Sequence, residues 1–182
     1  MGQQGLHRVA VALGRCVLLA AGAALFPFSL GAAATPASPP PCALTLSTGQ
    51  PVDFAKFRGQ VLYVDFWASW CGPCLLSFPF MNALRRDYGD KGLHVLAIDM
   101  DEKPADATHF LDQHKATFDI ANGPNGQCAK DFGVAAMPTS FLIDRSGVIR
   151  AVHQGFRPGD IDDLKSKLEE LIAENAAEPG AK

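Results

Sequence analysis

The chain has 182 residues, 48% of them hydrophobic, with 19 acidic side chains against 16 basic ones and a formal net charge of −3. That length supports one domain with a substantial hydrophobic core and is too short for two comfortable ones. The slightly acidic balance, with no basic stripe, argues against a nucleic-acid partner.

The first 34 residues read as a cleaved export signal: Arg8 and Arg15 give a positive start, Val17 to Leu30 is almost wholly apolar, and Ala32-Ala33-Ala34 supplies the small residues of a cleavage site. A retained membrane anchor is the alternative, although the apolar run is short for a span of about 20 residues and is broken by Gly22 and Pro27. Arg15 before Cys16 does not suit a lipid-attachment site. Cleavage removes Cys16 and leaves Cys42, Cys71, Cys74 and Cys128, an even number suited to an oxidising compartment, periplasmic or extracellular.

Residues 35–42 are rich in proline and read as a stiff, extended linker; residues 43–175 form the folded unit, and residues 176–182 a flexible tail. Ala43–Leu46 and Pro51–Phe54, joined by a Ser-Thr-Gly turn, suggest a short hairpin. Val61–Phe66, apolar except for Asp65, has the pattern of a strand buried on both faces. A helix follows over Gly72–Tyr88, with Leu75, Phe78, Met81, Leu84 and Tyr88 at helical spacing and a kink at Pro79. Leu93–Ile98 is the next strand, and Pro104–Lys115 a helix opened by proline. Then come a strand at Phe118–Ala121, a short helix at Gln127–Phe132, and a hairpin of Thr139–Ile143 with Val148–His153. The last helix opens at Asp160 as N-cap and carries Ile161, Leu164, Leu168, Leu171 and Ile172 on one face. Strands alternating with helices predict an α/β fold with a central mixed sheet.

Trp70-Cys71-Gly72-Pro73-Cys74 carries the chemistry. Two thiols three positions apart at a strand-to-helix turn can close a small disulfide ring. Zinc would need a second Cys or Cys/His pair, which the sequence lacks, so no metal or other cofactor is expected. Cys71 at the helix start gains from the unpaired N–H groups and the helix dipole and is the expected nucleophile; Cys74, one turn in, is the resolving thiol. Gly72 permits close approach and Pro73 restricts the turn.

Val64-Asp65-Phe66-Trp67-Ala68-Ser69-Trp70-Cys71-Gly72-Pro73-Cys74 resembles the active-site segment of thioredoxins, with Pro79 at the family's helix kink. Met137-Pro138-Thr139-Ser140-Phe141-Leu142-Ile143-Asp144 resembles its cis-proline strand and Gly155 its late glycine. The inserted stretch Pro104–Val134 is similar to the TlpA/ResA branch of extracytoplasmic thiol-disulfide oxidoreductases. The resemblance implies a thioredoxin-like fold and a catalytic set of Cys71, Cys74, Asp65 and Pro138. In that set Asp65 helps take the proton from Cys74, and Pro138 lies against the disulfide turn. Asp65 departs from the family in one respect: Ala97 falls where thioredoxins place a lysine; a water-facing edge position is the bland alternative for Asp65. Docking is expected at Trp70, Gly72, Pro73, Met137, Thr139 and Gly155, and the indoles of Trp67 and Trp70 are expected to divide roles, one packing behind the turn and one shaping its rim.

The implied activity is reduction of disulfides in other exported proteins, as in cytochrome c or oxidase assembly, by a monomer supplied with electrons by a membrane thiol carrier. Two other classes share the fold. A Cu(I)-binding assembly factor usually spaces its thiols one residue wider and adds a late His. A thiol peroxidase needs a Pro-x-x-x-Thr-x-x-Cys arrangement that this chain lacks. Cys42 and Cys128, left over after signal removal, suggest a structural disulfide, with two independent thiols as the alternative. Asp99, Asp101, Glu102 and Asp106 lack the rhythm of a calcium loop and read as a solvated acidic loop. The histidines read as surface or packing residues.

Overall fold

The computed structural model describes residues 37–174, so the leader expected over residues 1–34 and the tail over residues 176–182 lie outside the described residues. In chain order the elements are β1 (Thr45–Leu46), a 3₁₀ turn (Phe54–Phe57), β2 (Val61–Trp67), α1 (Cys74–Tyr88), β3 (Leu93–Asp99), α2 (Pro104–Gln113), β4 (Asp119–Asn122), α3 (Gln127–Asp131), β5 (Thr139–Ile143), β6 (Ile149–Gln154) and α4 (Ile161–Glu174). The strands form one mixed sheet in the order β1-β4-β3-β2-β5-β6. The β2–β3 and β3–β4 pairs are parallel, while β1–β4, β2–β5 and β5–β6 are antiparallel.

The apolar run predicted to be a doubly covered strand is β2, which lies between β3 and β5 and is buried at every residue. Pleating sends Val61, Tyr63, Asp65 and Trp67 to one face, where Phe78, Met81 and Leu84 of α1, Phe110 of α2 and Leu164, Leu168 and Leu171 of α4 complete the core. Leu62, Val64 and Phe66 face the other way, against Cys128 and Ala129 of α3, Phe132, Phe141 and Leu44. Trp67 packs its ring against Phe78 and Phe110 at centroid distances of 4.8 and 4.9 Å. Tilted aromatic contacts of this kind each contribute about 0.5–1.5 kcal/mol beyond area burial.

The N-terminal region differs from the expected hairpin. The turn itself forms, with the Leu46 N–H donating to Gln50 O at 2.7 Å, but Pro51 meets Thr45 in a single bridge only. Proline has no N–H with which to extend the ladder. The Asp53 carboxylate instead accepts the Ala55 N–H at 3.0 Å and starts the 3₁₀ turn, while Thr45 and Leu46 pair with Asn122 and Ala121 of β4.

From Ala37 onward the proline-rich stretch is tied to the folded unit. The Ile149 N–H donates to Ala37 O at 2.9 Å, and Pro39 and Pro40 lie half-buried along a groove shared with Phe54 and Phe57. A disulfide joins Cys42 to Cys128 of α3, with Cα atoms 5.1 Å apart.

Two further boundaries shift. The buried stripe of α1 is phased on Cys74, Phe78, Met81, Leu84 and Tyr88, which leaves Leu75 on the exposed side. Asp160 does not act as a simple N-cap: a 3₁₀ turn over Pro158–Asp160 precedes α4, and the Asp160 carboxylate reaches back to accept the Arg157 N–H at 2.7 Å.

Candidate active site

β2 ends at Trp67, and the chain turns through Ala68–Pro73 before α1 begins at Cys74. The Cys71 N–H donates to Ala68 O at 3.0 Å and the Cys74 N–H to Cys71 O at 3.1 Å, so the turn runs directly into the first helical hydrogen bonds. Cys71 and Cys74 are joined by a disulfide, with Cα atoms 5.3 Å apart. Their exposures are unequal: Cys71 is 5% accessible and Cys74 is 0% accessible. Cys71, the less enclosed of the two, precedes the N-terminal end of α1, where the helix dipole favours a thiolate.

The rim around this disulfide is apolar. Trp70 is 69% exposed, Leu75 42% and Leu76 50%, beside exposed Gly72 and Pro73. From Phe66 to Leu84 the chain carries no ionisable side chain except the two cysteines. Leu75, expected on the apolar face of the helix, lies on this rim instead, together with Leu76. Trp67 is fully buried, so the two indoles divide as expected, one behind the turn and one on its rim.

The Met137–Pro138 peptide bond is cis. β5 runs antiparallel to β2 with Thr139 opposite Phe66, which sets Pro138 level with the end of β2 from which the Cys71 turn departs. Met137, half-buried, packs against the cluster that contains both cysteines. Thr139 and Gly155, expected at the docking face, both hydrogen-bond to the cis-proline segment. The Thr139 side chain is buried and its hydroxyl donates to Ala136 O at 2.7 Å. The Gly155 N–H donates to Pro138 O at 2.7 Å, from a backbone with φ +80° that suits glycine. Both brace the cis-proline segment.

Asp65 is fully buried in the centre of the sheet, on the pleat face shared with Cys71 and Cys74, and is not an edge residue. Ala97 stands directly across from it on β3 and Ser140 on β5. The Tyr63 hydroxyl donates to Ser140 Oγ at 2.7 Å, and the Ser140 hydroxyl donates to Asp65 Oδ1 at 2.7 Å. Asp65 Oδ2 has no hydrogen-bond partner. Burial raises the Asp65 carboxyl to about 7, opposed by the Ser140 hydrogen bond, and pushes the Tyr63 hydroxyl upward as well.

The acidic stretch after β3 is not the solvated loop the sequence suggested. Asp99 is buried, and its carboxylate accepts the Asp101 N–H at 2.9 Å. Asp101 in turn accepts the Ser69 N–H at 2.9 Å and the Ser69 hydroxyl at 2.8 Å. Burial raises Asp99 to about 7. Glu102 and Asp106 are exposed.

The chain is similar to known proteins. A redoxin family profile matches residues 31–171. The thiol-disulfide oxidoreductase ResA of Bacillus thuringiensis subsp. konkukian is 33% identical over 124 residues, covering 68% of this chain and 68% of that protein. ResA of Geobacillus kaustophilus is 29% identical over 140 residues, covering 77% of this chain and 79% of that protein. A Chlorobium tepidum crystal structure, assigned as the thiol:disulfide interchange protein DsbE, superposes with a TM-score of 0.72 at 45% identity and covers 74% of this chain and 95% of its own. The chain belongs to the redoxin family, as a thiol-disulfide oxidoreductase of the TlpA/ResA type with a thioredoxin-like fold.

Proposed function

We propose that the protein is exported and passes electrons from its Cys71–Cys74 dithiol to disulfides of other exported proteins. The observation that supports this reading is the Cys71–Cys74 disulfide at the head of α1, set in a segment with no other ionisable side chain from Phe66 to Leu84. The Cys71 thiolate attacks a client disulfide; one client sulfur leaves as thiolate and a mixed disulfide forms. Cys74 gives its proton to Asp65 and attacks Cys71 Sγ, the second client sulfur leaves, and the client has gained two electrons. Cytochrome c or oxidase assembly is the setting we propose, with a membrane thiol carrier restoring the dithiol.

The Gly72-Pro73 centre favours reduction of clients, because it adds no positive charge that would stabilise the reduced thiolate and make the pair more oxidising. A measured potential near the thioredoxin value of about −270 mV supports the reading, and one near about −120 mV overturns it. Cys74→Ser should accumulate mixed disulfides with clients and Cys71→Ser should not; equal trapping would reverse the assignment. Export predicts a mature N-terminus at Thr35, whereas an intact Met1 in a membrane fraction favours the anchor.

A further inference from the structure

Asp65 is a fully buried carboxylate with no charged partner across either neighbouring strand, since β3 offers Ala97 and β5 offers Ser140. One of its oxygens is held by the Ser140 hydroxyl, which is itself held by the Tyr63 hydroxyl; the other oxygen is unpartnered. All three side chains are buried. A hydroxyl can donate to only one acceptor, so the Tyr63 bond to Ser140 Oγ commits the Ser140 proton to Asp65.

We propose that Ser140, oriented by Tyr63, is a positioning residue for the resolving step of disulfide exchange: it fixes Asp65 Oδ1 and leaves Oδ2 to receive the Cys74 proton. This rests on the reading that Asp65 is the proton acceptor. In the mixed disulfide the Cys74 S–H bond breaks, its proton goes to Asp65, and the Cys74 sulfur forms a bond to Cys71 Sγ. The electron pair of the old Cys71–client bond leaves on the client sulfur, which takes a proton from water. The acid later returns its proton to water, so Asp65 is unchanged over the cycle. Ser140 stabilises the carboxylate form and so lets it act at lower pH.

Few other groups that titrate face Asp65. Tyr63 does so from β2, and Cys71 and Cys74 from the turn and α1. β3 adds Val95 and Ala97 on that face, β5 adds Leu142, α2 adds Ala107 and Phe110, and α4 adds Leu164 and Leu168. Asp99, two residues beyond Ala97, is engaged by the Asp101 N–H.

The test is stopped-flow reaction of the reduced protein with the chromogenic disulfide dithiobis-nitrobenzoate. The first release of thionitrobenzoate reports attack by Cys71 and the second reports resolution by Cys74. The second phase should rise with pH through a limb that Asp65→Asn removes. Ser140→Ala should move the midpoint of that limb upward by about one pH unit. Tyr63→Phe, which leaves the core filled, should move it in the same direction by less. If Asp65→Asn leaves the limb in place, the proton-acceptor reading fails and takes this proposal with it. If Asp65→Asn removes the limb and both hydroxyl variants keep the wild-type midpoint, the Ser140 proposal alone fails, since a merely structural role slows both phases without moving the midpoint.

Discussion

Ser69 donates two hydrogen bonds to one side chain, its N–H to Asp101 Oδ2 at 2.9 Å and its hydroxyl to Asp101 Oδ1 at 2.8 Å, which ties the turn before Trp70 and Cys71 to the end of β3. Asp101→Ala removes both charge-assisted bonds and should lower unfolding stability by about 1–3 kcal/mol. The same change should slow attack by Cys71 several-fold, because the turn that presents it loses its brace. Denaturant unfolding together with single-turnover kinetics checks this, and a variant that keeps wild-type stability and rate contradicts it.

The exposed leucines at the head of α1 should matter for clients more than for folding. Leu75→Lys and Leu76→Lys place charge on the apolar rim next to Trp70. Each is expected to raise KM for a protein client severalfold and to change stability by no more than about 0.5 kcal/mol. Equal KM for wild type and both variants would rule out an apolar docking rim.

Asp65 also makes stability depend on pH. Burial raises its carboxyl from 3.8 to about 7, so the folded state keeps a proton that the unfolded chain gives up. Stability contributed by that difference is intact below about pH 4, is lost as pH rises toward 7, and stays lost above it; three units correspond to about 4 kcal/mol. Asp65→Asn should therefore be more stable than wild type at about pH 8, by roughly 2–4 kcal/mol, with the advantage shrinking toward pH 4. Asp99, also raised, is present in both proteins and cancels in the comparison. An advantage independent of pH would show that Asp65 is ionised throughout.

Closing a loop of 86 positions constrains the unfolded chain strongly. In the chain-entropy account the Cys42–Cys128 bridge contributes about 4–5 kcal/mol. A Cys42→Ala/Cys128→Ala variant should unfold at correspondingly lower denaturant. Peptide mapping without reduction should recover the two cysteines in one linked fragment, and recovery of both as free thiols would remove the basis for the effect.

Much of the site was legible because its signals are local. The β2 run and the Cys71–Cys74 spacing each lie within a few residues, and the cis bond at Pro138 follows from the resemblance of the short stretch Met137–Asp144 to the thioredoxin cis-proline strand. What was missed depends on register between distant segments. Ser140 sits in an apolar strand with nothing to mark it until β5 pairs with β2 and sets it opposite Asp65, 75 positions away. Asp101 looked solvated because its partner Ser69 is 32 positions back. Leu75 failed for a different reason: the helical period was right, but the buried stripe is phased on Cys74. The bracing of the cis-proline segment by Thr139 and Gly155 depends on the same kind of register, since the Gly155 N–H reaches Pro138 O from beyond β6.

The two disulfides lie on opposite faces of the sheet, Cys71–Cys74 within one apolar cluster and Cys42–Cys128 with the other. Exchange between sulfurs requires direct approach of a thiolate to a disulfide. With β2 and its neighbours filling the space between, the strands insulate one couple from the other. Exchange that begins at the head of α1 therefore has no internal route to the bridge that holds the N-terminal segment.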